Sequence, residues 1–263
     1  MKEQKLIYKP YSKGKVFTPQ VYKKALRIFL LTIIMVVFFL FTGQLIVMTG
    51  GMLRIILSLL LLGLAMALFY YEGAAQGEDD VSLGEIVYSK QQQQQAISKD
   101  DLDNAYNPLK GFATAFLGVL PFFVLALIFA FIAQKQVYQL GGLPSWLAAF
   151  DRYRNIEIAL SYYKETSALG AEGILRIIIR VLLFPFIHFF GADNPDSMLL
   201  MERLSPLLIL VVPSAYAMGY LNGPKRRAAV HGDIAIGKKK KANKAKRERL
   251  KRQKQKNGEN NLV

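Results

Sequence analysis

The amino-acid sequence predicts an all-α, polytopic helical membrane protein with four transmembrane helices, one interfacial or re-entrant segment and a disordered basic C-terminal tail. Of the 263 residues, 52% are hydrophobic, and the mean hydropathy of +0.23 is high for a soluble globular domain. The apolar residues collect in long uncharged runs, whereas much of the positive charge collects at the two ends of the chain. This separation is typical of a membrane protein with basic segments outside the bilayer.

The distribution of charge predicts the topology. Residues 1–27 carry a net charge of +7, residues 28–110 carry −4, residues 111–221 are neutral, and residues 222–263 carry +12. Because Lys and Arg near the ends of spans stay on the cytoplasmic side of a membrane, we expect both termini in the cytoplasm. The expected location is a bacterial-type inner membrane, that is, the plasma membrane, and the number of crossings should be even.

The first two apolar runs predict a transmembrane hairpin over residues 28–71. The run 28–48 has no charged residue, and about 20 residues are enough to cross the hydrocarbon core. The Gly50–Gly51 pair supplies a turn before the second run, 55–71. Tyr70–Tyr71 closes this run with rings that favour the membrane–water interface.

The remaining membrane region, residues 111–221, contains two further apolar runs, 112–133 and 204–221. Pairs of small residues four apart allow close contact between membrane helices. Two pairs with this spacing lie in the apolar runs, Gly63 with Ala67 and Ala215 with Gly219. We interpret them as helix-packing sites.

Residues 174–190 are an ambiguous apolar segment. Arg176, Arg180, Phe184 and His188 recur at intervals of four, which predicts a helix with a polar stripe. Such a helix lies at the interface or is re-entrant, while five or six spans remain alternatives. The arginines and His188 are candidate contacts for an anionic lipid or substrate.

The acidic residues that follow the stripe are candidate partners for its arginines, in case the stripe faces the bundle interior. They are Asp193, Asp196 and Glu202.

Two segments outside the spans have their own patterns. Residues 72–110 read as a polar acidic linker with the glutamine run Gln91–Gln95, and Ser98 is a helix-start signal with three aspartates after it. In residues 145–165, aromatic and aliphatic side chains recur at steps of three and four, which predicts an amphipathic helix. In the four-span topology that helix lies outside the cell.

The basic tail, residues 222–263, has almost no apolar residue to bury, so we expect disorder or a fluctuating helix. It should bind anionic lipid headgroups or, alternatively, ribosomal RNA. No aromatic residue follows Tyr220, so RNA contacts would be sequence-indifferent. The candidate contact residues are the cationic ones, Lys238, Lys239, Lys240, Lys241, Arg247 and Arg249.

The chain lacks cysteine and has two histidines, His188 and His231, which excludes disulfides and thiolate chemistry and argues against a metal or cofactor site. We therefore expect a non-enzymatic accessory or scaffold subunit that associates with other membrane proteins. The alternative is a channel or transporter subunit with an Arg-lined site for an anionic substrate. A membrane enzyme acting on lipid is a third class.

Overall fold

The computed structural model describes residues 6–49, 51–134, 170–191 and 194–259, and helix is the only regular secondary structure in these ranges. The predicted all-α class is therefore confirmed. The predicted amphipathic helix 145–165 lies outside the described residues. The helices of the described ranges are α1 (Pro19–Val47), α2 (Gly51–Gln92), α3 (Lys99–Asn104), α4 (Pro108–Ile132), α5 (Ala171–Leu182), α6 (Phe184–Phe190), α7 (Pro195–Leu221) and α8 (Gly223–Glu259).

Four of these helices, α1, α2, α4 and α7, are long and apolar enough to cross a membrane, as the four apolar runs predict. Large apolar side chains stay exposed on them: Phe41 is 73% exposed, Leu60 65% and Phe131 85%. Contiguous apolar surface of this kind is rare on soluble monomers. It suits helices that are surrounded by lipid chains.

The second half of α2 corrects the prediction of a polar linker over residues 72–110. The helix continues through the acidic stretch to Gln92, and the predicted short helix after Ser98 is α3. Ala74, Val81 and Val87 are buried along this half. The stretch therefore has a small apolar face to pack, which its many charged and polar residues conceal in the sequence.

Helix α8 corrects the prediction of a disordered tail. Residues 223–259 form one helix, and its beginning is packed, since Ala228 is buried and its carbonyl accepts a hydrogen bond from the Ile7 backbone N–H at 3.1 Å. The rest is rich in Lys, Arg and Ala, which are strong helix formers. Because helix growth is easier than helix nucleation, the packed beginning supports the extension.

The Arg-bearing segment is two helices, α5 and α6, which meet at a bend of 92°. Pro185 lies in the first turn of α6. Proline lacks a backbone N–H and clashes with the preceding turn, so α5 ends before it. The prediction of one helix with a continuous polar stripe from Arg176 to His188 is therefore wrong. The bent pair has the shape of a re-entrant segment or a broken span.

The chain divides into two compact units. Within the described residues, unit 1 contains residues 6–21, 69–113 and 215–259, and unit 2 contains the rest. Unit 1 thus combines the N-terminal segment, the connection between the second and third long helices, and the C-terminal helix.

In unit 1, α2 crosses the end of α7 with the two backbones in contact. Gly73 lies against the backbone of Tyr216, and Gly77 lies one turn further along against the backbone of Tyr220. A Cβ atom on either glycine would overlap the facing carbonyl oxygen. This close approach is possible only because glycine has no side chain.

The contact is reciprocal. Gly219 lies against the carbonyl of Tyr70, and Gly223 lies against the backbone of Gly77. The four glycines, Gly73, Gly77, Gly219 and Gly223, form what we call the glycine crossing. Each pair has the GxxxG spacing that lets helix backbones approach closely, and Gly219 is the only one of the four in the pairs singled out from the sequence.

Unit 2 is held by contacts of α1 and α4 and of their neighbours. The rings of Phe29 and Phe122 stack with their centroids 5.2 Å apart. Gly43 of α1 lies against the ring of Phe184. The Ser205 hydroxyl of α7 donates to the carbonyl of Ala126 on α4 at 3.5 Å.

The glycine crossing generates a stability prediction. Gly219→Ala should lower the free energy of unfolding by about 1–3 kcal/mol, because the new methyl group forces the helices apart. Gly63→Ala is the matched control, since a Cβ at Gly63 meets nothing within 4 Å, and the interpretation of Gly63 as a helix-packing site is therefore wrong. Alanine is favoured over glycine in helices by up to about 1 kcal/mol. Thermal unfolding in mild detergent measures both. Equal melting temperatures for the two variants would contradict the close backbone contact.

Candidate functional site

Carboxylates of α2 hold the beginning of the basic helix α8 within unit 1. Glu78 pairs with the Nε of Arg226 at 2.8 Å. Glu85 accepts from the Nε of Arg227 at 3.1 Å and lies 2.8 Å from Nε2 of His231. Glu78 and Glu85 are seven residues apart and therefore share one face of the helix. The acidic stretch is thus the electrostatic partner of the first cations of α8.

Sequence reasoning missed this pairing. The −4 charge of residues 28–110 and the +12 of the tail were visible, as was the heptad spacing of Glu78 and Glu85. The sequence predicts a linker over residues 72–110, and without a helix there the shared face of Glu78 and Glu85 could not be recognised. The glycine crossing supplies the proximity, and it joins residues more than 140 positions apart.

A buried aromatic cluster lies beside these ion pairs. The Tyr220 hydroxyl donates to Asp80 at 2.6 Å, and the ring of Tyr106 stacks on Tyr220 with centroids 5.3 Å apart. Tyr11 meets Tyr106 edge-on at 5.7 Å. Burial, and to a smaller extent Tyr11, raises the pKa of Tyr106 to about 12, so its ring stays neutral at physiological pH. The hydrogen bond from the Tyr220 hydroxyl is a strong one, because its acceptor is the buried carboxylate of Asp80.

The N-terminal segment contacts α2 and α3 in unit 1. Its backbone donates from Ser12 to the carbonyl of Gly84 at 3.1 Å, and the Lys15 ammonium lies 3.0 Å from Asp103. Lys110, only 2% exposed, donates to the carbonyls of Asn104 and Ala105 at 2.9 and 2.7 Å. A cation at carbonyls that end a helix is electrostatically favourable, so α3 and the start of α4 are tied together.

The predicted cationic contacts lie further along α8. Lys238–Lys241 and Arg247 are exposed on the helix. Arg249 lies on α8 as well, and its side chain is outside the described part. Consecutive residues of a helix are about 100° apart, so the four lysines surround the helix and leave no apolar side at this level.

In unit 2, the two predicted arginines meet one buried carboxylate. Arg180 donates from Nε to Oε1 of Glu202 at 2.9 Å, and its Nη2 lies 2.7 Å from the same oxygen. The Nε of Arg176 approaches that oxygen at 3.2 Å. Glu202 is 1% exposed, so α5 is linked to α7 by a buried ion-pair cluster. Such a cluster strongly penalises the loss of one partner.

The remaining contacts of Arg176 lie within the protein too. Its Nη2 donates to the carbonyl of Gln134 at 2.7 Å and to Glu172 at 2.9 Å, and its guanidinium carbon lies 5.8 Å from the centroid of the Phe129 ring. The sequence analysis did not find Glu172 as a partner, although it stands four residues before Arg176, a spacing typical of helical ion pairs.

The other predicted members of this site lie elsewhere or outside the description. Of the three acidic candidates, the structure brings Glu202 to the arginines and places Asp196 in the first turn of α7, while Asp193 lies outside the described residues. His188 lies on α6, beyond the bend, with its ring 5.4 Å from that of Phe184. Contact of Arg176, Arg180 and His188 with a lipid or substrate stays a prediction.

No protein family model, no curated protein and no solved structure matches this chain. Within the described ranges, no group of three or more His, Asp or Glu side chains is placed to hold a metal ion. A proposal on function therefore rests on features of the structure itself. These are the cationic helix, its acidic anchor, the arginine cluster and the exposed apolar faces.

The arginine cluster generates the second prediction. Glu202→Gln should lower the free energy of unfolding by about 3–5 kcal/mol, because two buried guanidinium groups lose their shared carboxylate. Glu172→Gln is the control, since the Glu172 side chain is 42% exposed and an exposed pair contributes up to about 1 kcal/mol. Unfolding by denaturant in detergent gives both values. A Glu202→Gln variant as stable as Glu172→Gln would rule out a buried ion pair.

Proposed function

We propose that the protein crosses the membrane four times, with both termini on the same side. Residues 22–68 and 114–214 each leave unit 1 and return to it. If their helices cross a membrane, each of these segments must cross an even number of times. The hydrogen bond between Ile7 and Ala228 supports the same conclusion, because it joins the N-terminal segment to the beginning of α8.

This topology assigns α1 and α2 to one pair of crossings and α4 and α7 to the other. The bent pair of α5 and α6 is then re-entrant or interfacial. A five-span arrangement separates the termini and receives no support from unit 1. The strong positive charge of both ends favours the cytoplasm as their side, and we propose a bacterial-type plasma membrane as the location.

The proposed function is that of a non-enzymatic accessory or scaffold subunit whose basic helix binds anionic lipid headgroups. One observation carries this proposal: α8 begins beside the aromatic end of the apolar part of α2, where the Asn222 amide donates to the Tyr70 hydroxyl at 2.9 Å. Tyrosine at the end of an apolar run favours the membrane–water interface. The cations of α8 therefore start near headgroup depth, where each contributes about 1 kcal/mol of attraction to an anionic leaflet.

A second partner, ribosomal RNA, is favoured by the arrangement of charge on α8. Lys238–Lys241 surround the helix, whereas a flat bilayer contacts one side of it. RNA phosphates can approach a helix from several directions, and neutralising them releases counterions. The binding experiment below therefore also tests binding to RNA.

The rival function, a channel or transporter with an Arg-lined site, receives less support. Arg176 and Arg180 make ion pairs with Glu202, and Arg176 also donates to a backbone carbonyl. A site for an anionic substrate would need to compete with these contacts.

The topology is the third prediction. Green fluorescent protein fused near Met1 or after Val263 should fluoresce, and alkaline phosphatase fused at the same positions should be inactive, because the N-terminal segment and α8 both belong to unit 1. Alkaline phosphatase, active only outside, and green fluorescent protein, fluorescent only inside, provide paired readouts at each end. Termini on opposite sides would contradict the four-span proposal.

The fourth prediction concerns the lipid-binding helix. The protein is placed in neutral phosphatidylcholine nanodiscs and sedimented with phosphatidylglycerol vesicles or, in a separate sample, with ribosomes. Binding should fall as salt rises, and truncation after Gly237 should abolish it while the anchor at Arg226, Arg227 and His231 stays intact. Replacing Lys238–Lys241 with arginine is the matched control and should preserve binding, because the charge is kept.

Two other outcomes of this experiment are decisive. Loss of ribosome binding on truncation, with vesicle binding absent in the full chain, would identify RNA as the partner. Vesicle binding that survives truncation and high salt would reject a charge-driven role of α8.

A further inference from the structure

Unit 1 contains a cavity at the beginning of α8 that is widely open to the surface. Its volume is about 380 Å³, and it lies among α2, the first turns of α8 and the N-terminal segment. Its lining combines two aromatic rings, an amide, two cations and one aliphatic side chain: Tyr70, Tyr71, Asn222, Lys225, Arg226 and Leu6. Two small residues, Ala74 and Ala229, also line it and leave its space unfilled.

The cavity offers positive charge that the described residues neutralise only in part. Among the described residues, Lys225 has no carboxylate partner. Arg226 uses its Nε for Glu78 at 2.8 Å, yet its side chain is 46% exposed. The planar guanidinium of arginine and the ammonium of lysine commonly donate hydrogen bonds to phosphate oxygens.

Polar and apolar groups are both present around these cations. The Tyr70 hydroxyl accepts from the Asn222 amide at 2.9 Å, and its own proton has no acceptor in the described part of the chain. Leu6 and the ring of Tyr71, which is 65% exposed, present apolar surface. A ligand with a phosphate and an adjoining hydrocarbon part matches this combination.

The position of the cavity identifies the source of the phosphate. Tyr70 and Tyr71 end the apolar half of α2, and Asn222 follows the last residue of α7. Both helices are candidate membrane spans, so both reach the membrane surface at this level. We propose that the cavity is a binding site for the phosphate headgroup of an anionic phospholipid, held by Lys225, Arg226 and the Tyr70 hydroxyl.

This inference rests on the proposed function and makes it specific: one lipid is bound in a formed site, in addition to the diffuse attraction of the distal lysines. Isothermal titration calorimetry on the full chain in neutral detergent tests it. The probes are dihexanoyl phosphatidylglycerol, dihexanoyl phosphatidylcholine and inorganic phosphate. Phosphatidylglycerol should bind saturably with one lipid per chain, and phosphatidylcholine should bind much more weakly.

Matched variants separate the cavity from general charge. Lys225→Gln should weaken phosphatidylglycerol binding about fivefold, the equivalent of about 1 kcal/mol for one interfacial cation. Ala229→Phe keeps the charge, fills the cavity and should abolish binding. Lys13→Gln removes the same charge from an exposed position of the N-terminal segment and should leave the dissociation constant unchanged. If Ala229→Phe does not fold, the comparison of the two lysine variants still decides.

Three results would overturn the inference. Equal weakening by Lys225→Gln and Lys13→Gln would show diffuse attraction, with the proposed function of α8 left standing. Equal affinity for inorganic phosphate and phosphatidylglycerol would identify a site for free phosphate instead of lipid. No binding of phosphatidylglycerol would reject the site, whereas the vesicle experiment with the chain truncated after Gly237 tests the distal helix separately.

Discussion

The structure depends most on the glycine crossing between α2 and the junction of α7 with α8. Four positions without side chains, Gly73, Gly77, Gly219 and Gly223, bring two backbones into contact. Only at that distance does the Tyr220 hydroxyl reach Asp80. The same close approach aligns the carboxylates of α2 with the first cations of α8. The beginning of the cationic helix is therefore fixed against α2.

This origin explains why an acidic stretch belongs on the basic side of the protein. Glu78 and Glu85 pair with Arg226 and Arg227 at the beginning of α8. The cations further along α8, such as Lys238–Lys241, stay exposed, as the proposed contact with lipid phosphates requires. In the arginine cluster of unit 2, Glu202 likewise neutralises guanidinium groups, whose burial without a counter-charge would cost free energy.

The sequence predicted features that local composition determines. Uncharged runs identified the four long helices, and Ser98 with its aspartates identified α3. It failed where distant residues decide. The acidic half of α2 looks like a linker until its glycines meet Tyr216 and Tyr220. The tail looks disordered until Ala228 and its neighbours are packed. Glu202 could not be preferred over Asp193 or Asp196, because only the fold selects among carboxylates at similar sequence distances. The break of the arginine stripe at Pro185 likewise becomes visible only in the structure.

The central claim is that α8 starts packed on α2, on the side of the membrane that holds both termini. The cysteine-free chain allows a direct measurement with the double variant Glu78→Cys and Arg226→Cys in native membranes, treated with a short thiol-specific cross-linker. The account predicts rapid intramolecular cross-linking, and none when Arg226→Cys is replaced by Lys239→Cys further along the helix. A failure of the Glu78–Arg226 pair to cross-link, or equal cross-linking of both pairs, would contradict it.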